Sequence, residues 1–187
     1  MTTIPSLYQD MDNMLTKQGF MTSHTWYHGT TSTLGEAILS NGLKQSGDKT
    51  MRQVNERTMA TIGADYTAPR EPIFLTPSKS LAYYWAERKK YIRRVRLGLE
   101  EKPVVIQLNL SDELSQKVKP DVGATSFLLM EEGEQYMSFL STLYEVKGLG
   151  QPTANPAELD RLDYLTKLGF AYIDADIAPQ SLCLLES

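Results

Sequence analysis

The apolar positions of this chain fall into short blocks whose spacing changes from one block to the next. At the amino end, SLYQDMDNMLTKQGF (residues 6–20) sets Leu7, Met11, Met14 and Leu15 on one helical face, with Ser6 placed to cap and Gly19 to stop it. This predicts a helix packed on the outside of the domain. Residues 25–28, TWYH, switch to a β-prone run ending at Gly29. Thr33-Leu34-Gly35-Glu36 then fits a capping box, Leu34, Ala37 and Ile38 form a stripe, and Gly42-Leu43 fits a Schellman-type stop. The unit reads strand, glycine turn, helix, glycine stop.

Residues 44–70 are polar and weakly periodic, which predicts a long loop with one helical turn. PIFLT (72–76) predicts a buried strand broken by Pro77, and Ser78 then caps a helix that turns Leu81, Ala82, Trp85 and Ala86 inward. PVVIQLNL (103–110) is the strongest strand. FLLM (127–130) reads as a strand, and residues 135–146 as a helix or a strand pair. Leu159, Leu162, Leu165 and Leu168 predict a helix over 158–168 ended by Gly169, and short strands at 171–174 and 182–185 close the chain. These strands are too short and scattered for a doubly wound sheet. The expected class is α+β, a split, mostly antiparallel β-sheet core with peripheral helices. Residues 1–22 are expected to be an N-terminal helical extension and 23–187 the main domain.

Composition narrows the function. The 187 residues suit one domain, and 41% hydrophobic with 22% charged residues fits a globular chain. A net charge of −4 and a pI near 5.3 argue against gripping nucleic acid by bulk charge. RKKYIRRVR (88–96) is a local basic patch, and a solvated helix face is its stronger reading. The single Cys183 excludes an intramolecular disulfide and a cysteine-based zinc site, and within LCLL it is expected to be a small buried hydrophobe. Neither a membrane span nor a secretory start is present, so a cytoplasmic location is expected, with signal-independent delivery to another cell left open.

No phosphate loop, GxGxxG or GxSxG occurs. The two histidines, His24 and His28, are four apart without an HExxH pattern, and on a strand that spacing separates the rings, so no metal is expected. His28 is the better candidate. It ends a strand beside Gly29, where a ligand can approach the backbone, and Thr30 and Thr31 add hydroxyls. A ligand-contacting imidazole and a strand-end histidine tied to a local carbonyl are equal readings of these residues alone.

YHGTTSTLGEAILSNGL resembles the opening motif of the ADP-ribosyltransferase fold in its diphtheria-toxin and poly(ADP-ribose) polymerase branch: His-Gly-Ser/Thr, a short helix ending IL, then GL. PIFLTPSKSLAYYWA is similar to that branch's strand-turn-helix with Ser-Lys-Ser-x-x-Tyr, here Ser78, Lys79, Ser80 and Tyr83. PVVIQLNL falls where the next core strand belongs, and LDYLTKLGFAYID resembles the ending of bacterial members. These blocks cover about half the chain.

The resemblance implies an NAD site. His28 would hydrogen-bond the adenosine-side ribose, the Gly29 backbone and Ser80 would hold the nicotinamide amide, and Tyr83 would stack on its ring. Breaking the nicotinamide glycosidic bond passes through an oxocarbenium-like state, so clamping ribose and leaving group suits the chemistry. Two departures stand out. Phe74 occupies the region of the family's second signature residue and offers a stacking face without a hydroxyl. The usual glutamate is missing: its position falls on Ala171 in one alignment and near Gln180 or Ser181 in another. Asp174 and Asp176 are the nearby substitutes, and Glu131, Glu132, Glu134, Glu145 and Glu186 are further carboxylates. The vacancy argues against chain-building polymerisation. The implied activity is single ADP-ribose transfer from NAD to a macromolecular acceptor, protein or nucleic acid, by a toxin- or effector-like enzyme. An NAD glycohydrolase, an RNA 2′-phosphotransferase-like enzyme and a catalytically inactive NAD- or ADP-ribose-binding relative are the alternatives. Oligomeric state is left open.

Overall fold

A computed structural model describes residues 3–63 and 69–185. A single 3-10 turn, Ser6–Tyr8, precedes α1 (Met11–Met14) and the two-stranded hairpin of β1 (Leu15–Thr16) and β2 (Gly19–Phe20). Next come β3 (Thr25–Thr31), α2 (Ser32–Asn41), α3 (Lys49–Thr61), β4 (Ile73–Leu75) and α4 (Lys79–Leu97). The rest runs β5 (Pro103–Asn109), α5 (Asp112–Ser115), β6 (Lys119–Pro120), α6 (Ala124–Leu128) and α7 (Glu131–Val146). Last are α8 (Asp163–Thr166), β7 (Ala171–Ile173), the 3-10 turn Pro179–Ser181 and β8 (Leu182–Leu185).

Beyond the hairpin, the strands form two antiparallel sheets of three, ordered β3-β5-β8 and β4-β7-β6. They meet where Tyr27 and Thr76 exchange both backbone hydrogen bonds, at 2.9 and 3.0 Å. Trp26, Ile106 and Leu108 of one sheet share a buried cluster with Ile73, Leu75, Ala171 and Ile173 of the other. Alternation along each strand produces this inner face. The fold is thus mixed α+β with antiparallel sheets, as the patterning predicts. Among the described residues no helix is long and apolar enough to cross a membrane.

Helix α4 fixes the geometry around the split. Ser78 caps it, accepting from the Leu81 N–H at 3.4 Å, and Gly98 ends it in the left-handed conformation at φ 67°. Leu81, Ala82 and Ala86 are fully buried. The helix crosses β3 so closely that a Cβ on Gly29 would lie 1.9 Å from the Ala82 carbonyl oxygen and 2.6 Å from the Ala86 nitrogen. Only glycine fits there. On its other side, Tyr84 and Trp85 join Phe127, Tyr136, Phe139 and Phe170 in an aromatic core with α6 and α7.

Several expectations are corrected. Residues 6–20 form no continuous helix, and Met11, Leu15 and Phe20 enter the main core instead of lying outside it. The "loop" of residues 44–70 contains the 13-residue α3, anchored by Asp48, which accepts from Met51 N–H at 3.2 Å, and by buried Met51. The capping box does not form: α2 starts at Ser32, and the Thr33 hydroxyl serves the Glu101 carboxylate. FLLM is the end of α6 and its following turn instead of a strand, whereas residues 135–146 take the helical one of their two expected forms, within α7. Of residues 158–168 only Asp163–Thr166 is helical. Cys183 is exposed, because β8 turns it away from its neighbours Leu182 and Leu184. Glu186 lies outside the described residues.

Candidate functional site

The site begins where β3 and β4 part. Tyr27 and Thr76 make the last shared backbone rung. One residue on, the His28 side chain spans the widening gap, its Nδ1 lying 2.9 Å from the Phe74 carbonyl oxygen. A carbonyl only accepts, so Nδ1 carries the proton and Nε2 is left as the acceptor. Burial pushes the half-buried imidazole below the ordinary histidine value of 6.5; the Phe74 bond opposes this and the Lys89 charge assists it. The ring is therefore neutral at pH 7, in one tautomer.

Gly29 extends the same edge. Backbone groups alternate along a strand, so Gly29 directs its N–H and C=O as Tyr27 does, away from β5 and past the last rung. A donor and an acceptor stand side by side there. Thr30 and Thr31 contribute less: they are 1% and 0% exposed, and Thr30 packs beside Gly35 of α2. Phe74 is 49% exposed and lies beside Tyr172 in the strand register, so its ring faces outward while its carbonyl holds His28.

A charged cluster flanks this edge. Asp48, at the start of α3, pairs with Lys89 at 2.9 Å and with Arg93 at 2.8 Å, and Arg93 also pairs with Glu101 at 2.7 Å. Burial raises both carboxyls, but their cations overcome it and hold Asp48 and Glu101 below their ordinary values. Asp48 and Lys89 line a small cavity of about 70 Å³ with Ser46, Arg52, Asn55 and Glu71.

Ser80 and Tyr83 belong to a different environment. The segment before α1 lies across the start of α4, where the Asp10 carboxylate accepts from the Ser78 hydroxyl at 2.8 Å, the Lys79 N–H at 2.6 Å and the Ser80 hydroxyl at 3.0 Å. The Ser80 hydroxyl is also 2.8 Å from the Tyr8 carbonyl oxygen. The Tyr8 ring stacks on Tyr83 at 4.8 Å and 21°, in a cluster with Val105 and Leu185. Tyr83 donates to Glu87 at 3.0 Å; burial first, then Glu87, pushes its hydroxyl up to about 12. A cavity of about 1220 Å³ opens beside this segment, lined by Asp10, Met11, Ser80, Tyr84, Glu134 and Phe139.

The carboxylate and amide candidates are spread along the last part of the chain. Asp176 accepts from the Gln45 N–H at 3.0 Å and pairs with Lys44 at 3.5 Å. Asp174 pairs with Lys119 at 3.7 Å, and Gln180 is exposed in the Pro179–Ser181 turn. The structure thus gathers His28, Gly29 and Phe74 at the split, while Ser80 and Tyr83 lie beneath the N-terminal segment. Sequence reasoning missed Tyr8, Asp10, Asp48, Lys89 and Glu101. Asp48 carried a legible cap signal before Lys49; the distant pairings carried none.

No protein family matches the chain, and no curated protein or solved structure matches it at a significant level.

Proposed function

We propose that the protein binds NAD along the edge where β3 and β4 separate and transfers one ADP-ribose to a macromolecular acceptor. The observation carrying this reading is the pairing of a neutral, tautomer-fixed His28 with the open peptide edge of Gly29. Nε2 is an acceptor suited to a ribose hydroxyl. The Gly29 N–H and C=O complement the C=O and NH₂ of a carboxamide, the group that nicotinamide carries. Holding both across the glycosidic bond orients it for cleavage. The bond between ribose C1′ and the nicotinamide nitrogen breaks, and nicotinamide leaves neutral with the electron pair. The acceptor heteroatom bonds to C1′ and gives its proton to solvent. The motif resemblance adds Ser80 and Tyr83 as the nicotinamide platform, which requires the Tyr8 ring to leave Tyr83.

A silent NAD- or ADP-ribose-binding relative is the second reading, favoured by the engagement of Asp174 and Asp176 with lysines. Nicotinamide release from NAD, measured with and without cell lysate for the native protein and His28→Ala, separates these. Release that needs lysate and vanishes in the variant supports transfer. Release without lysate identifies a glycohydrolase, and dependence on 2′-phosphorylated RNA identifies a phosphotransferase. Tight NAD binding with no release leaves the binding module.

A further inference from the structure

The four charges beside the split are held very unequally. Arg93 gives Nε and Nη2 to the two Glu101 oxygens, at 2.7 and 3.3 Å, and Nη1 to Asp48 at 2.8 Å. The Arg93 and Glu101 side chains are each 4% exposed and that of Asp48 13%, whereas Lys89 is 34% exposed. Lys89 holds one oxygen of Asp48, at 2.9 Å. Without that amine Asp48 keeps the Arg93 guanidinium and the Met51 N–H at the start of α3. A helix N-terminus favours a carboxylate on its own account. Both the guanidinium and the Met51 N–H sit on Oδ1, so release of Lys89 leaves Oδ1 satisfied, takes from the buried Oδ2 its ion pair and sets one guanidinium against two carboxylates.

Position makes that release useful. Lys89 follows Ala86 by one turn on α4, and Ala86 is the residue that crosses Gly29. Lys89 lines the small cavity of about 70 Å³ with the polar Ser46 and Asn55 and the charged Asp48, Arg52 and Glu71. Its charge reaches His28. An ammonium on a flexible stem is a point charge that can change partners, and phosphate oxygens are among its strongest ones.

We infer that Lys89 is the phosphate anchor of the split, exchanging Asp48 for the diphosphate of a nucleotide whose ribose lies at His28. This rests on the nucleotide reading above and adds the group that selects diphosphate over nucleoside. It involves no bond making or breaking. Asp48 holds Lys89 in place while the site is empty.

Calorimetric titration of ADP and of adenosine into the native protein, Lys89→Gln and Lys89→Arg tests the assignment. ADP is expected to bind the native protein more tightly than adenosine does, with an affinity that falls as salt rises. Lys89→Gln is expected to lose about tenfold or more for ADP and nothing for adenosine, and Lys89→Arg to recover most of the loss. The unfolding midpoint of Lys89→Gln should stay near native. Equal ADP affinity in native and Lys89→Gln, equal losses for both ligands, or no ADP binding to the native protein overturns the inference. Lys89-dependent ADP binding without nicotinamide release sinks the transfer reaction and keeps the anchor. Nicotinamide release indifferent to Lys89→Gln does the reverse.

Discussion

The two ends of α4 solve opposite problems. At its start, Asp10 and Tyr8 satisfy Ser78, Ser80 and the face of Tyr83, so polar groups and ring are closed by the chain itself. Farther along, the helix presses on Gly29 and pairs Lys89 and Arg93 with Asp48, next to a strand edge left without a backbone partner strand after Tyr27. Residues that two separate motif blocks of the resemblance bring together, His28 from one and Ser80 and Tyr83 from the other, thus divide between an open edge and a covered ring. Sequence proximity to a motif shows which residues accompany one another; which of them are available is decided by what else the fold lays over them.

Breaking the support of the open end carries the largest expected effect. Arg93→Met leaves Glu101 and Asp48 buried with one guanidinium fewer, and a loss of about 3–5 kcal/mol is expected in denaturant unfolding. A loss below about 1 kcal/mol would show the cluster to be solvated and incidental. Gly29→Ala comes next, because its Cβ meets helix backbone that must shift; about 1–3 kcal/mol is expected, and under the proposed function loss of NAD binding with it. At the closed end, Asp10→Ala removes an external cap on α4 and is expected to cost about 1–2 kcal/mol. Tyr8→Ala sharpens the contrast: under the proposed function it uncovers Tyr83 and raises nicotinamide release, whereas a fall in release would make Tyr8 part of the holding surface.

The smallest effect is a pH dependence. His28 is held below 6.5 in the fold, so the unfolded chain binds its proton more readily. Its contribution is full above 6.5 and is lost as pH falls through the lower folded value. Unfolding midpoints should drop between pH 7.5 and 5.5, and His28→Gln should flatten that drop. Asp48 and Glu101, held low by their cations, lose their contributions only as pH falls below 3.8 and 4.5 respectively, so these losses separate from that of His28.

What was legible followed from local rules. The Ser78 cap, the inward Leu81-Ala82-Ala86 stripe and the alternating β5 run each depend on neighbours within a few residues, and all three appear as expected. The misreadings have identifiable causes. Leucines spaced strictly by three slip about 60° per step around a helix of 3.6 residues per turn, so Leu159 to Leu168 drift off one face, and Leu162 ends 59% exposed. Helix α3 offers few apolar residues to any periodicity and depends on the Asp48 cap and distant partners. Residues 6–20 carried a helical stripe, yet Asp10 is drawn to α4, and Gly19, at φ 110°, turns the hairpin. In the site, His28 beside Gly29 was readable; the Phe74 carbonyl that fixes its tautomer was not, since nothing in a sequence announces a contact across 46 positions.

The Tyr8 hydroxyl donates to the Leu185 carbonyl oxygen at 3.3 Å, joining residues 177 positions apart. That clasp has a kinetic meaning. The strand edge at Gly29 can form once β3 finds β5 and β4 finds β7, and the Tyr8 ring can reach Tyr83 through α4 alone, but the clasp itself needs both extremities of the described chain. Loops of that length close slowly and weigh on folding rate. The clasp is therefore expected to fasten late in refolding, after the strand edge has formed, so that the two extremities are tied together as a closing step.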